Sequence, residues 1–414
     1  MAKKNYGVKF SPIDKKNSWH PEIETPRFWR LFPGAMRRRW WLFRPFDLVA
    51  RNLPVFFKRK GVLVVRMDGI GDMTLFRQSL EHYSEAFGVS KQDITILGCK
   101  SWATIAKQIF EGYQIITINE HAFAKKILYR FCVSVKVRLL GVAVAVCDSY
   151  FRRTLMADSL VWVSGAPKMV VSYPYISETT RSEFKYYLSQ AHLIINTGDY
   201  PTHEIVRHAR FVSALLGRDI MPEFPKINWV AKTPTIFRKL KNYVVLVPGS
   251  NEFGRRWPLE GYKTLAEKFA VAGFNVCIVG HVFENVTWPV FSQTEGGAQI
   301  TNLTGKTSLP DLLYLLKNAA LVVSNDTGTA HLAIGLGAPT VVLVGGGHFS
   351  SFFPYPPNLT PSTTRFISYK MPCYHCFWRC TKRDNKRNPF PCIESIGVEQ
   401  VWSESNKILS TDSA

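Results

Sequence analysis

Short apolar runs recur along this chain, each followed by a segment long enough for a helix. One series comprises Gly61-Val62-Leu63-Val64-Val65-Arg66, Ile94 to Gly98, Gln114 to Ile118, Val142 to Cys147 and Met169 to Ser172. A second comprises Tyr243-Val244-Val245-Leu246-Val247, Asn275 to Gly280, Ile300 to Leu303, Leu321 to Ser324 and Thr340 to Val344. Such runs predict buried strands, and their alternation with helical segments predicts mostly parallel α/β sheets. Between the two series, Pro222, Pro225 and Pro234 mark residues 222–240 as a linker. The pattern thus predicts an extension over 1–60, a doubly wound domain over 61–225 and another over 240–414. Ligands of open α/β sheets bind beyond the carboxyl ends of the strands, so two such halves would place a cleft there.

Two strand-to-helix crests carry unusual chemistry. After the first strand comes Met67-Asp68-Gly69-Ile70-Gly71-Asp72, with a helix expected from Met73 to about Phe87. Its glycines let a ligand approach the backbone, and Asp72 either faces that ligand as a base or caps the helix. After Leu321 to Ser324 comes Asn325-Asp326-Thr327-Gly328, then a helix stopped by Gly337 and Pro339. Free N–H groups over Asp326 to Thr329 would form an anion site; the alternative is an ordinary turn capped by Asp326. His331, one turn into the helix, reaches a ligand or packs in the core.

Composition then narrows the partner. A chain of 414 residues with 46% hydrophobic content can bury two cores, and its net charge of +21 calls for an anionic partner. Residues 1–60 hold 15 Lys/Arg against 4 Asp/Glu, more than half of the whole excess. There the cations interleave with aromatics, as in Arg37-Arg38-Arg39-Trp40-Trp41-Leu42-Phe43-Arg44. This suits an anionic bilayer surface, the alternative being aromatics packed on the protein's own core. Residues 121–140, with Lys125, Lys126, Arg130, Lys136 and Arg138 among Phe123, Leu128 and Phe131, are a second basic amphipathic candidate or a solvated flank. No nucleic-acid module accompanies these patches, so no nucleic-acid partner is expected. No apolar run approaches about 18 residues, and the start Met1-Ala2-Lys3-Lys4-Asn5 has no apolar segment behind it, so neither a spanning helix nor a secretory signal is expected.

Cysteine usage agrees with a cytoplasmic protein. Cys99, Cys132, Cys147 and Cys277 stand singly in apolar contexts, as reduced core thiols would. Cys373-x2-Cys376-x3-Cys380-x11-Cys392 forms a knuckle over 373–392 that would hold structural Zn or Fe, or else remain four reduced thiols.

Over roughly Gly61 to Ser405 the chain resembles glycosyltransferase family 9, the ADP-heptose:lipopolysaccharide heptosyltransferases of Gram-negative bacteria. The resemblance is carried by Arg66 through Asp72, His203 through Leu216-Gly217, Pro248-Gly249-Ser250 with Arg255-Arg256-Trp257-Pro258, Asn325 through Gly328 with His331-Leu332-Ala333, and Gly337-Ala338-Pro339. It implies a GT-B fold of two Rossmann-like domains facing across a cleft. The acceptor would bind mainly to the first domain, at Arg66, Asp68, Gly69 and Gly71, and the nucleotide sugar to the second. It further implies an inverting transfer with Asp72 as base and Asp68 as the other candidate carboxylate. Arg255 stands where relatives often carry Lys, and with Arg256 and the 326–329 N–H groups it would neutralise the leaving diphosphate in place of a divalent cation. Ser250, Asp326, Thr327, Gly328, Thr329 and His331 join the donor side. Glu284 would touch the ribose, and Gly345-Gly346-Gly347 would form another close-approach loop. The expected partners are ADP-heptose, an anionic lipid-linked glycan and the inner face of the inner membrane. Another nucleotide sugar, a protein acceptor, or a silent scaffold of the same fold are the alternatives.

Overall fold

The computed structural model describes residues 27–230, 234, 237, 238, 240–281 and 298–411. Two sheets organise them. The first contains β1 (Val62–Arg66), β2 (Ile94–Cys99), β3 (Gln114–Ile118), β4 (Val144–Cys147), β5 (Lys168–Ser172) and β6 (Leu193–Ile195) in the order β3-β2-β1-β4-β5-β6. The second contains β7 (Tyr243–Val247), β8 (Asn275–Ile278), β9 (Ile300–Asn302), β10 (Leu321–Asn325), β11 (Thr340–Leu343) and β12 (Thr364–Ile367) in the order β12-β11-β10-β7-β8-β9. Every pairing is parallel. Counted from its own first strand, the second sheet repeats the order of the first. Each therefore has one topological switch point, between β1 and β4 and between β7 and β10, where crevices form at strand ends.

The central strands are apolar throughout because helices cover both faces. Leu63, Val65, Ala145 and Cys147 pack with Phe123, Val133 and Leu160 in one core. Val244, Leu246, Val323 and Leu343 pack with Trp257, Phe269 and Ile393 in the other. Burial pushes the Cys147 and Cys277 thiols up to about 12, which keeps them protonated. Cys132 departs from the expectation of a core thiol. It is exposed, because it falls on the outer side of the helix Ile127–Leu139.

By contacts the chain divides into two units. The first holds Met1–Gly69, Ser79–Tyr200 and Glu204–Glu223; the second holds Ile70–Gln78, Pro201–His203 and Phe224–Ala414. The helix expected over Met73 to Phe87 is three shorter pieces: Ile70–Phe76, a 3-10 turn Ser79–His82 and Tyr83–Phe87. Asp72 accordingly lies within the first turn of a helix rather than capping one that begins after it.

The basic extension contributes the helix Arg38–Asn52 to the first unit. Trp40, Phe43, Asp47 and Ala50, spaced by three and four, form its buried stripe against Leu155, Trp162, Tyr186 and Tyr187. Asp47 accepts hydrogen bonds from buried Arg130, at 3.0 and 3.2 Å from Nε and 2.5 Å from Nη2. Arg130 is thus a core cation rather than part of a lipid-facing stripe. On the opposite side of the same helix, Trp41, Leu42, Leu48 and Val49 are 39–55% exposed. Among the described residues no helix is long and apolar enough to cross a membrane.

Candidate functional site

The switch point of the second sheet is built around Asn325, the last residue of β10. Its amide is fully buried and hydrogen-bonded at both ends: Nδ2 donates to the Pro248 carbonyl (2.8 Å), while Oδ1 accepts from the Trp257 N–H and the Tyr262 hydroxyl, each at 3.1 Å. One side chain therefore ties the loop after β7 to the loop after β10. This fixes the segment carrying Arg255 relative to the 326–329 turn.

Arg255 ends the 3-10 turn Phe253–Arg255. Its guanidinium lies 4.4 Å from the centroid of the Trp378 ring, and its Nε is buried with no hydrogen-bond partner among the described residues. An arginine held by its face keeps its N–H groups for an anion. Asp326 is 8% exposed, and burial pushes its carboxyl up to about 6 against the opposing pull of Arg255. His348, which the sequence reading passed over, is brought down to about 4, first by burial and then by Arg255 and His375. Near pH 7 it is neutral, leaving Arg255 as the cation here. The signal available in the sequence was its position directly after Gly345-Gly346-Gly347.

Arg256 diverges from its neighbour. Its Nε donates to the Ser250 carbonyl (2.9 Å), and its guanidinium lies over Phe253. It lines a cavity of about 310 Å³ with Pro248, Trp257, Arg387 and Glu394. Ser250 thus meets Arg256 through its backbone.

Thr327 precedes the helix Gly328–Gly335 as its N-cap, without a side-chain capping bond, and Thr329 stands half-buried in the first turn. Within the second unit this helix packs on Ile70–Phe76 so closely that Gly71 leaves no room for a side chain. A Cβ on Gly71 would sit 2.9 Å from the Gly328 Cα and 2.9 Å from His331 Cδ2. The contact brings the half-buried Asp72 to the same helix pair as the 326–329 turn. His331 is 4% exposed, stacks on Phe353 at 3.9 Å, and its Nδ1 meets the Tyr355 hydroxyl at 2.8 Å. Burial holds it well below its usual range, so it is a packed neutral histidine of the helix. Glu284 lies outside the described residues.

The first sheet's switch point differs. Arg66, 1% exposed, meets Asp68 through Nε (2.9 Å) and Asp148 through Nη1 (2.6 Å). The other oxygen of Asp148 meets His208 Nδ1 at 2.9 Å, and Ser149 donates to Asp68 at 2.7 Å. Arg66 and His208 hold the buried Asp148 carboxyl far below the usual range despite desolvation, while burial lowers His208. Asp148 and His208 were missed because only the fold brings the end of β4 to the helix Glu204–Leu216. A carboxylate directly after the fourth strand was the available clue. Gly69 is exposed beside this network.

The cysteine segment covers the glycine loop. Cβ atoms on Gly345 and Gly347 would strike Trp378 at 2.8 and 2.1 Å, and one on Gly346 would strike Tyr374 at 2.3 Å. The close approach made here is thus by the protein's own rings. Gly346 N–H donates to Cys392 Sγ at 3.4 Å, and burial raises the Cys376 and Cys392 thiols. Cys373, Cys376, Cys380 and Cys392 influence one another electrostatically. Among the described residues no three His, Cys, Asp or Glu side chains gather as metal ligands.

Residues 203–386 match the family model of glycosyltransferase family 9 (heptosyltransferase). The lipopolysaccharide heptosyltransferase 2 of Escherichia coli K12 is 33% identical over 175 residues, covering 40% of this chain and 47% of the relative. The matched stretches span about half the length of the curated relatives. The structure of the E. coli ADP-heptose lipopolysaccharide heptosyltransferase II superposes with a TM-score of 0.62 at 17% identity, over 86% of this chain and all of that one. That of TibC, an iron-containing dodecameric glycosyltransferase from enterotoxigenic E. coli, gives 0.50 at 17%, over 87% and 78%. At these identities the likeness shows the fold, which is GT-B-like.

Proposed function

Because this chain is a relative of glycosyltransferase family 9, we propose that it is an inverting glycosyltransferase moving a heptose from ADP-heptose onto a lipopolysaccharide core or related anionic glycan. The observation that carries the reading is Arg255: a cation held by the face of Trp378, its Nε buried with no hydrogen-bond partner among the described residues, beside a carboxyl whose proton affinity burial raises. A site that strands a cation in this way favours an anion that brings its own oxygens.

In the proposed reaction Asp72 takes the proton of an acceptor hydroxyl. The hydroxyl oxygen then attacks the anomeric carbon as its bond to the diphosphate breaks on the opposite face, inverting the configuration. Arg255 and the N–H groups of 326–329 receive the charge that collects on the diphosphate. This supplies without a divalent ion what such an ion would supply, so transfer persists in EDTA. Replacing Asp72 with Asn lowers transfer by roughly 10²–10⁴-fold, the usual share of a general base, and leaves ADP binding intact. Near-native transfer by that variant, measured with purified acceptor, would remove Asp72 from this role. A panel of nucleotide sugars scored by thermal shift tests the donor: stabilisation by a different sugar nucleotide and none by ADP-heptose would overturn the heptose assignment.

The acceptor reading draws on the helix Arg38–Asn52. Exposed Trp41, Leu42, Leu48 and Val49 lie opposite its buried stripe, and Arg38 and Arg39 stand exposed beside them. Phe56 continues the apolar run at 92% exposure. A helix apolar on two opposite sides, edged by cations, suits the surface of an anionic membrane. It would hold the enzyme as a peripheral protein near a lipid-linked acceptor.

A further inference from the structure

We propose that Trp378 is a positioning residue for the leaving diphosphate, acting through Arg255. The inference rests on the reading of Arg255 as the diphosphate ligand.

Trp378 is held with unusual firmness. Its indole Nε1 is buried with no hydrogen-bond partner among the described residues, so ring packing alone places it. One contact is the backbone of Gly345 and Gly347, where no Cβ would fit; another is Phe390, stacked at 5.3 Å and 26°. Arg255 is a third, at 4.4 Å from the ring centroid. The backbone beneath is forced into a conformation that residues with side chains seldom adopt: His375, Phe377 and Trp378 have φ of 67°, 53° and 60°. Hydrogen bonds to the glycine loop hold it there, from His375 N–H to the Gly346 carbonyl (2.7 Å) and from Phe377 N–H to the Gly347 carbonyl (2.9 Å).

The same segment grips the turn that carries Arg255. Phe390 N–H donates to the Gly254 carbonyl at 2.7 Å, and the Phe390 ring covers Gly254 so tightly that a Cβ there would lie 2.5 Å away. Backbone and guanidinium of the 253–255 turn are thus both held by residues 373–392, the backbone through Phe390 and the charge through Trp378. An arginine has many rotamers, and an anion that must order it loses affinity. A ring already stacked on the guanidinium removes that cost, and the attraction of a cation for an indole face adds to it.

The test is a double-substitution cycle read by the dissociation constants of ADP and of adenosine, which lacks phosphate. Trp378→Leu should weaken ADP by about two- to thirtyfold and leave adenosine unchanged. Trp378→Phe, which keeps a weaker aromatic face, should lose less. In an Arg255→Ala background Trp378→Leu should cost nothing more, since nothing remains to position. Equal weakening of ADP and adenosine, or full additivity with Arg255→Ala, would overturn the proposal. If Trp378→Leu does not fold, the Phe variant decides: an ADP-selective loss that vanishes without Arg255 supports the role, and ADP binding identical to the parent overturns it. Should Arg255→Ala itself leave ADP affinity unchanged, the diphosphate reading fails first and this inference with it.

Discussion

The two sheets share one strand order and each places a carboxylate and an arginine near its switch point, yet those charges are spent in opposite ways. At the first, Arg66 is closed between Asp68 and Asp148, and Asp148 is shared with His208. At the second, Arg255 rests on a ring instead of a carboxylate, and burial outweighs its pull on Asp326. Equivalent places in a repeated fold thus yield a closed charge network in one case and an arginine resting on a ring in the other. What separates them is whether the buried charge is satisfied from within.

That contrast can be broken in several ways. The largest effect is expected from Asp148→Asn, which leaves buried Arg66 with Asp68 alone and takes the carboxylate from His208. Loss of one partner of a buried pair costs about 3–5 kcal/mol, readable in urea unfolding. A much smaller change would mean that this network is not a strut. Arg255→Ala should do the reverse, lowering kcat about 10²–10³-fold while leaving the urea midpoint nearly unchanged. A large loss of stability in that variant would make Arg255 structural too.

Acid and base should separate the two carboxylates by sign. Asp326 binds its proton more tightly folded than unfolded, with an affinity raised from 3.8 to about 6. Its contribution is therefore stabilising at low pH and is lost as pH rises through that window. Asp326→Asn should flatten the fall in stability between pH 4 and pH 6. Asp148 is shifted the other way, so its contribution is present above the unfolded value and lost as pH drops below about 4. If Asp326→Asn leaves the slope between pH 4 and 6 untouched, the burial assigned to Asp326 is wrong. The smallest effect concerns the outer face of the first unit. Trp41→Glu and Leu48→Glu should each weaken binding to vesicles containing anionic lipid severalfold without altering stability, because both side chains are exposed. Vesicle binding equal to the parent would leave that face without its partner.

Much of this was legible along the chain. The apolar runs located most of the strands, since a strand covered on both faces must be apolar throughout, and the motifs from Arg66 to Asp72 and from Asn325 to Gly328 marked both crests. Short or partly polar strands such as β6 and β12 were passed over for the same reason. Three details escaped for reasons of distance. Asp148 and His208 stand 60 residues apart in the chain and meet only because the fold brings the end of β4 to the helix Glu204–Leu216. Trp378 looked like part of a cysteine knuckle, and its contact with Arg255 spans more than a hundred positions. In the basic extension Trp40 and Phe43 pack on the core, as one of the two readings had it, while Trp41 and Leu42 stay exposed, as a helix of 3.6 residues per turn requires.

The sequence by itself determined the repeated βα architecture, the two glycine-bearing crests and the resemblance they carry, because hydrophobic period and turn chemistry are local properties. Only the tertiary structure decided which charges are satisfied. Pairing, burial and the stacking of Trp378 on Arg255 depend on which distant segments meet, and they distinguish the crest whose arginine is closed between carboxylates from the crest whose arginine rests on a ring.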